Sequence, residues 1–186
     1  MPKNNFLPLI MENKVSELTK RVFNQKLTAG AKSSFVEPLS EKEENAVLNQ
    51  LFAADNNIRE EWQFFVKEYI QHYPGFISTD RILVNNLANS DAVYLIIISV
   101  SRYGYTNEIG SKICDYAATA DEETQVKLLS LLCENGRIFY ADIHDKLESI
   151  DMRRKEKNLP DLDFAKSYIQ GISSYRELGG VLSHKG

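Results

Sequence analysis

The chain predicts an all-α fold of stacked antiparallel helical hairpins, a degenerate HEAT-like α-solenoid, with an irregular helical bundle as the alternative. Three observations lead there. Apolar residues recur three and four apart through most of the 186 residues, the spacing of one helix face. Helix-start chemistry precedes several of these runs. Three glycines, Gly75, Gly104 and Gly136, each follow a longer apolar helix and precede another. Their spacings are 29 and 32 residues, near the roughly 30 to 47 of two-helix repeats. Hairpins of this kind have more apolar surface than they bury alone, so they stack. The sequence carries neither a tetratricopeptide nor an ankyrin pattern, which leaves an irregular stack or a bundle.

Met11, Val15, Leu18 and Val22 share a helix face and predict a first helix from about 9 to 27. A small, polar loop from Thr28 through Ser34 follows, and Pro38 prolongs it. Ser40-Glu41-Lys42-Glu43 is a capping box: serine accepts the N3 amide and the glutamate reaches back. Glu41, Glu43 and Glu44 also suit the positive end of the dipole. The second helix buries Val47, Leu48, Leu51 and Phe52. Asp55-Asn56-Asn57 breaks it. The third carries Ile58, Trp62, Phe65, Tyr69 and Ile70, and Pro74-Gly75 ends it.

Ser78-Thr79-Asp80 opens a short helix with Leu83, Val84 and Leu87. The next, about 91 to 103, is apolar on nearly every side, which predicts a central element. Its β-branched content makes a strand the competing reading. The Asp91 start and helical neighbours favour helix. Gly104 fits the C′ position. Thr106 caps a helix with Ile109, Ile113, Tyr116 and Ala117. Thr119-Ala120-Asp121-Glu122 reads as a second capping box. It leads a helix that buries Val126, Leu129, Leu132 and Cys133 and leaves Gln125 outside. The following helix carries Phe139, Ile143, Leu147 and Ile150. Residues 152 to 158 read as a charged continuation or linker. Pro160-Asp161 starts a last helix with Leu162, Ala165, Ile169 and Ile172, and the tail frays from about 176. The whole, 1–186, is expected to be one helical domain.

Hydrophobic content of 43% and charge of 26% are those of a folded globular chain. Net charge is −4, which argues against nucleic acid and suits a basic partner. The apolar run at 92–98 falls far short of the ~20 residues of a membrane span. The N-terminal patch Phe6-Leu7-Pro8-Leu9-Ile10-Met11 is short and proline-broken, unlike a signal peptide. A cytoplasmic location without membrane contact is the expectation. Cys114 and Cys133 fall among apolar neighbours in predicted helices and read as buried reduced thiols.

Motifs for catalysis, cofactors or metal are missing from the sequence, so no cofactor is expected. His72 suits a helix C-terminus. His184 lies in the tail. His144, within Asp142-Ile143-His144-Asp145, reads as part of a surface charge patch. Arg153-Arg154-Lys155 with Lys157 reads as a solvated linker. Tyrosines are favoured at recognition surfaces. Tyr94, Tyr103 and Tyr105 cluster at the central hairpin, with Tyr116 and Tyr140 on neighbouring helices. Asp121, Glu122 and Glu123, with Glu41, Glu43 and Glu44, are candidates for the charged part of the same surface. Helix capping and solvated core rims account for all of these positions equally well.

Over about residues 40–150, this small, acidic, helical and motif-free plan resembles the immunity proteins of bacterial contact-dependent toxin systems. The resemblance implies a non-catalytic protein that neutralises a cognate toxin, often a basic nuclease, by covering its active site. Glu122, Glu123, Tyr103 and Tyr105 would then be contacts. The alternatives are a helical-repeat adaptor or regulatory subunit, and a small helical enzyme whose site is assembled from dispersed carboxylates and His144.

Overall fold

The computed structural model describes residues 5–27, 38–72, 77–136, 140–166 and 168. Every element among them is helical, as expected: α1 (Leu7–Met11), α2 (Val15–Leu27), α3 (Glu41–Ala53), α4 (Asn56–His72), α5 (Ile77–Val84), α6 (Ser90–Tyr103), α7 (Asn107–Ala117), α8 (Glu122–Asn135) and α9 (Ala141–Glu156). A further helical stretch runs through 163–166. The 28–34 loop, the Pro74-Gly75 stop, Phe139, Ile169, Ile172, His184 and the tail lie outside the described residues. The sequence reading places 1–186 in one domain. The chain contacts divide into two compact units, 1–102 and 103–186, and the division falls inside the predicted hairpin that straddles Gly104.

In the first unit the predicted first helix is two helices. The chain turns at Glu12 to Lys14, where Asn13 adopts φ 55° and its amide donates to the Ile10 carbonyl. Asparagine tolerates this left-handed conformation. Its Oδ1 also accepts from the buried Trp62 indole at 3.0 Å, giving a polar handle the partner it needs. The break turns Met11 outward, 63% exposed, while Val15, Leu18 and Val22 keep the buried face.

The Ser40–Glu43 capping box forms as predicted. Glu43 does more than cap. Its Oε2 takes the Ser40 amide at 2.8 Å, and its Oε1 takes the Phe6 amide at 2.7 Å at the head of α1. It is buried, as is Glu44, so neither belongs to the acidic surface considered for them. Asn86, Asn89 and Asp91 shape the turn into α6: the Asn89 amide donates to the Asn86 carbonyl at 2.9 Å, and Asn89 Oδ1 accepts from the Asp91 amide at 2.9 Å.

Contacts between helix heads give the direction of packing. Phe6 meets Glu43, so α1 and α3 run parallel. Asp91 at the head of α6 takes Arg59 at 2.8 Å and Gln63 at 3.0 Å, both early in α4. Neighbours in sequence run antiparallel: Tyr69, late in α4, donates to Glu44 at the head of α3 and accepts the Leu39 amide at 2.9 Å. Helices α1, α3 and α5 thus form one row, and α2 and α4 a second that Asp91 extends to α6. This alternation is how stacked hairpins pack. The ring sequence Trp62, Phe65, Tyr69 on α4, with Phe23 from α2 edge-on to Phe65, fills the space between the rows.

The predicted 91–103 helix forms, so the strand reading is set aside. Its apolar surface is less evenly covered than expected. Leu95, Ile96 and Val100 are buried, Val93, Ile97 and Ile98 are half-buried, and Tyr94 is exposed. Two of its buried positions are polar, Asp91 and Ser99.

The second unit repeats the plan. Gly104 adopts φ 77°, and Thr106 caps α7 as predicted. Helix α7 packs on both α8 and α9. Gly110 permits that approach: a Cβ there would lie 2.4 Å from Ile143 Cδ1 and 2.8 Å from the Tyr105 ring. The cap of α8 is Asp121, which accepts the Thr124 amide at 2.9 Å, and not Thr119, whose hydroxyl donates back to the Tyr116 carbonyl. Val126 and Cys133 are half-buried, and Gln125 takes a core place instead. Beyond α9 the chain reverses at Asn158, φ 54°, and returns Leu162 and Ala165 to the core.

Candidate functional site

Seven residues form the predicted recognition surface: Tyr94, Tyr103, Tyr105, Asp121, Glu122, Glu123 and Tyr140. Tyr94 belongs to the first unit and is exposed; the other six belong to the second. Tyr103 is half-buried. Tyr105 is half-buried and donates its hydroxyl to the Leu132 carbonyl at 2.7 Å near the end of α8. Burial holds its phenol well above the usual range. Tyr140 leads into α9, with its ring centroid 6.4 Å from that of Tyr105.

The acidic trio stands at the other end of α8. Ten residues separate Glu122 from Leu132, about 15 Å along a helix axis. Asp121 caps the helix, and the Thr124 amide holds its carboxyl below the ordinary range. Glu122 accepts from Arg154 at 3.1 Å. Glu123 is exposed. The tyrosines and the acids are thus two separate features of the hairpin.

Arg154 corrects the solvated-linker reading, because it is 3% exposed and deeply engaged. Its Nη1 donates to Gln125 Oε1 at 2.6 Å, and its Nη2 to Glu122 and to the Pro160 carbonyl at 3.0 Å. Gln125 in turn donates to the Ala117 carbonyl at 2.7 Å. This node ties the α7–α8 turn to the end of α9 and the segment beyond. A polar cavity of about 140 Å³ lies beside it, with Arg153 and Lys157 on its wall.

A row of exposed acidic side chains lies on α9. Asp142, Asp145 and Glu148 are exposed and follow each other at intervals of three, on one side of the helix. The cation of that stretch, Lys146, is committed to Asp115 at 2.7 Å and Ser111 at 2.6 Å. Lys155 is committed to Asp151. No described lysine or arginine lies within ion-pair distance of Asp142, Asp145 or Glu148, although Lys146 feels the charge of Asp142, and Asp145 lies beside His144. Met152, 59% exposed, stands one turn beyond Glu148.

His144 corrects the surface-patch reading of that histidine. It is 5% exposed, its Nδ1 lies 3.1 Å from Asp145 Oδ1, and its Nε2 is buried without a hydrogen-bond partner. His144, Asp145 and Glu148 present one ligand atom each within 4.8 Å of one another, a set with the donor types that zinc or manganese takes. The chemistry open to this face is therefore that of binding positive charge, as a metal ion or as basic side chains.

Two other groups bear on reactivity. Cys114 and Cys133 are free, and burial pushes both thiols up to about 12, so they remain protonated and unreactive. Asp80 in the first unit is buried, accepts from Ser99 Oγ at 2.7 Å and is pushed up to about 6, chiefly by burial. Thr79 beside it carries a buried hydroxyl without a partner. Sequence reasoning found neither Asp80 nor Arg154 as special, since both look like ordinary helix-surface charges until their distant partners are known.

No protein-family model matches the chain, nor does any curated protein or solved structure.

Proposed function

We propose that this chain is a non-catalytic protein-binding protein whose partner is basic, and that it acts as an immunity protein that covers and neutralises a toxin domain such as a nuclease. The observation that carries the reading is the α9 face: three exposed carboxylates in a row, none within ion-pair distance of a described lysine or arginine, beside an exposed methionine. Such a face attracts a basic partner over distance and contributes chiefly to the association rate. Hairpin stacks present surfaces of this kind on a rigid frame. Relative to the tyrosine-and-acid surface read from sequence, the contact moves from the α8 start, where Asp121 and Glu122 are already engaged, to α9.

The test is co-expression with the product of the adjacent gene. A stoichiometric complex in which the partner loses its activity supports the reading. A complex that leaves the partner active points to the adaptor alternative. Asp142→Lys with Glu148→Lys is expected to slow association at least tenfold at low salt, and an unchanged rate removes the α9 face from the interface.

A second reading rests on the His144, Asp145 and Glu148 set, which would hold a divalent ion and make α9 the seat of the enzyme alternative. Titration of the purified chain with Co²⁺ decides it. A stoichiometric tetrahedral absorption band, lost in Glu148→Gln, favours this reading over the first.

A further inference from the structure

Ile150, Arg153, Arg154 and Lys157 follow one another at intervals of three and four, so the end of α9 shows one face to the α7–α8 turn. Between that face and residues 118–120 lies a polar cavity of about 140 Å³. Three cations, Arg153, Arg154 and Lys157, stand on its wall against one carboxylate, Glu122. The Arg154 guanidinium is buried and fixed in place by Gln125, Glu122 and the Pro160 carbonyl, so Glu122 balances Arg154. The side chains of Arg153 and Lys157 are exposed and have no described hydrogen bond or ion pair. Two positive charges are thus in excess at the cavity.

Cations are expected at a helix C-terminus, where they meet the last carbonyls. Here those carbonyls are already taken: Arg153, Arg154 and Lys155 accept from the amides of Lys157, Asn158 and Leu159. The same holds across the cavity, where the Tyr116 and Ala117 carbonyls that end α7 accept from the Thr119 and Ala120 amides and from Gln125. Arg153 and Lys157 stand one turn apart, where like charges repel. Helix α8 begins on the same wall, at Glu122, and adds the positive end of its dipole. A concave wall with an excess of one sign concentrates ions of the other.

The volume sets the size of the occupant. It is well below the roughly 300 Å³ at which pockets for larger organic ligands begin, which suits one compact anion and excludes an enclosed nucleoside. The two excess charges match a dianion, and the planar fork of arginine matches phosphate oxygens. A carboxylate brings a single charge. We propose that this cavity binds a phosphate group, as the free ion or as the end of a small phosphomonoester. The site does not rest on the basic-partner reading, since it lies at the other end of α9 and takes a ligand of opposite charge.

Isothermal titration calorimetry of the full chain with inorganic phosphate and with methyl phosphate, in separate runs at constant ionic strength, tests it. The expected result is one saturable site with a Kd of about 1 mM or tighter for at least one of the two. Inorganic phosphate alone assigns the cavity to the free ion; binding of methyl phosphate assigns it to the ester as well. Arg153→Gln with Lys157→Gln is expected to weaken binding at least tenfold. Lys42→Gln with Lys127→Gln, at exposed positions off the cavity wall, removes the same charge and should change it less than twofold. Glu122→Gln keeps an oxygen for Arg154, removes the negative charge from the wall, and should tighten binding several-fold. Far-UV circular dichroism confirms that each variant is folded. The inference is overturned if neither ligand binds saturably at about ten times that concentration. It is equally overturned if the two double variants weaken binding alike, or if Glu122→Gln fails to tighten it.

Discussion

Asp80→Asn should alter the pH dependence of the first unit's stability. Asp80 is 9% exposed and its carboxyl is held at about 6. Burial is the main cause; the Ser99 hydroxyl works against it, and the charge of Glu44 adds to it. In the unfolded chain the same group titrates near the ordinary 3.8. The folded state therefore holds its proton more tightly. The stability this group contributes is fully present below the unfolded value and is lost as pH rises through the folded one. The gap of about two pKa units corresponds to about 3 kcal/mol. Asparagine keeps an oxygen for Ser99 and cannot ionise. Its extra N–H₂ carries a fixed desolvation cost, but that cost cancels when one variant is compared across pH. The stability difference between Asp80→Asn and the parent should thus shift in favour of the variant by about 2–3 kcal/mol between about pH 4 and about pH 7.5. Urea unfolding followed by the fluorescence of Trp62, the sole tryptophan and a residue of the same unit, reads it directly. If the difference between the two proteins is the same at both pH values, Asp80 titrates normally and the reasoning about its burial fails.

Arg154→Ala strands the Gln125 and Pro160 carbonyl oxygens and is expected to destabilise the second unit by about 2–4 kcal/mol. Glu122→Gln, whose side chain is 51% exposed, should cost under about 1 kcal/mol; equal losses in denaturant titrations would contradict the asymmetry. Gly110→Ala drives a methyl into Ile143 and Tyr105 and should cost about 1–3 kcal/mol. Trimming the first obstacle with Ile143→Val should recover part of that loss in a double-mutant cycle, and strict additivity would argue against the close approach. The native thiols of Cys114 and Cys133, held up to about 12, should resist iodoacetamide near neutral pH and react only on unfolding. Rapid labelling of the folded chain, read by mass spectrometry, would count against their burial.

Most helix positions were legible because the signals are local. The Ser40–Glu43 box, the Thr106 cap and the Val15, Leu18, Val22 stripe each act within a few residues. Local reasoning failed where two local options competed. Thr119 and Asp121 both have cap chemistry, and the path of the chain out of α7 selected Asp121. The stripe through Met11 looked continuous, but the Trp62 indole, far along the chain, takes Asn13 at the break.

The candidate site was legible only in its raw material. That acids and tyrosines were abundant could be read; which of them remained available could not. Glu43 and His144 looked like surface charges and are buried. Glu122 looked available and is engaged by an arginine 32 residues away. Tyr105 looked like a recognition residue and spends its hydroxyl on a carbonyl 27 residues away.

The sequence by itself determined an all-helical chain, the place of most helices and their main apolar faces, because propensity, capping and periodicity operate over one or two turns. The tertiary structure decided which polar groups are consumed inside the fold and which remain outside. On an isolated helix a charged side chain responds only to the dipole and to neighbours three or four residues away. Its burial and its partners are set by whatever packs against it, and for Arg154 and Asp80 those neighbours come from elsewhere in the chain.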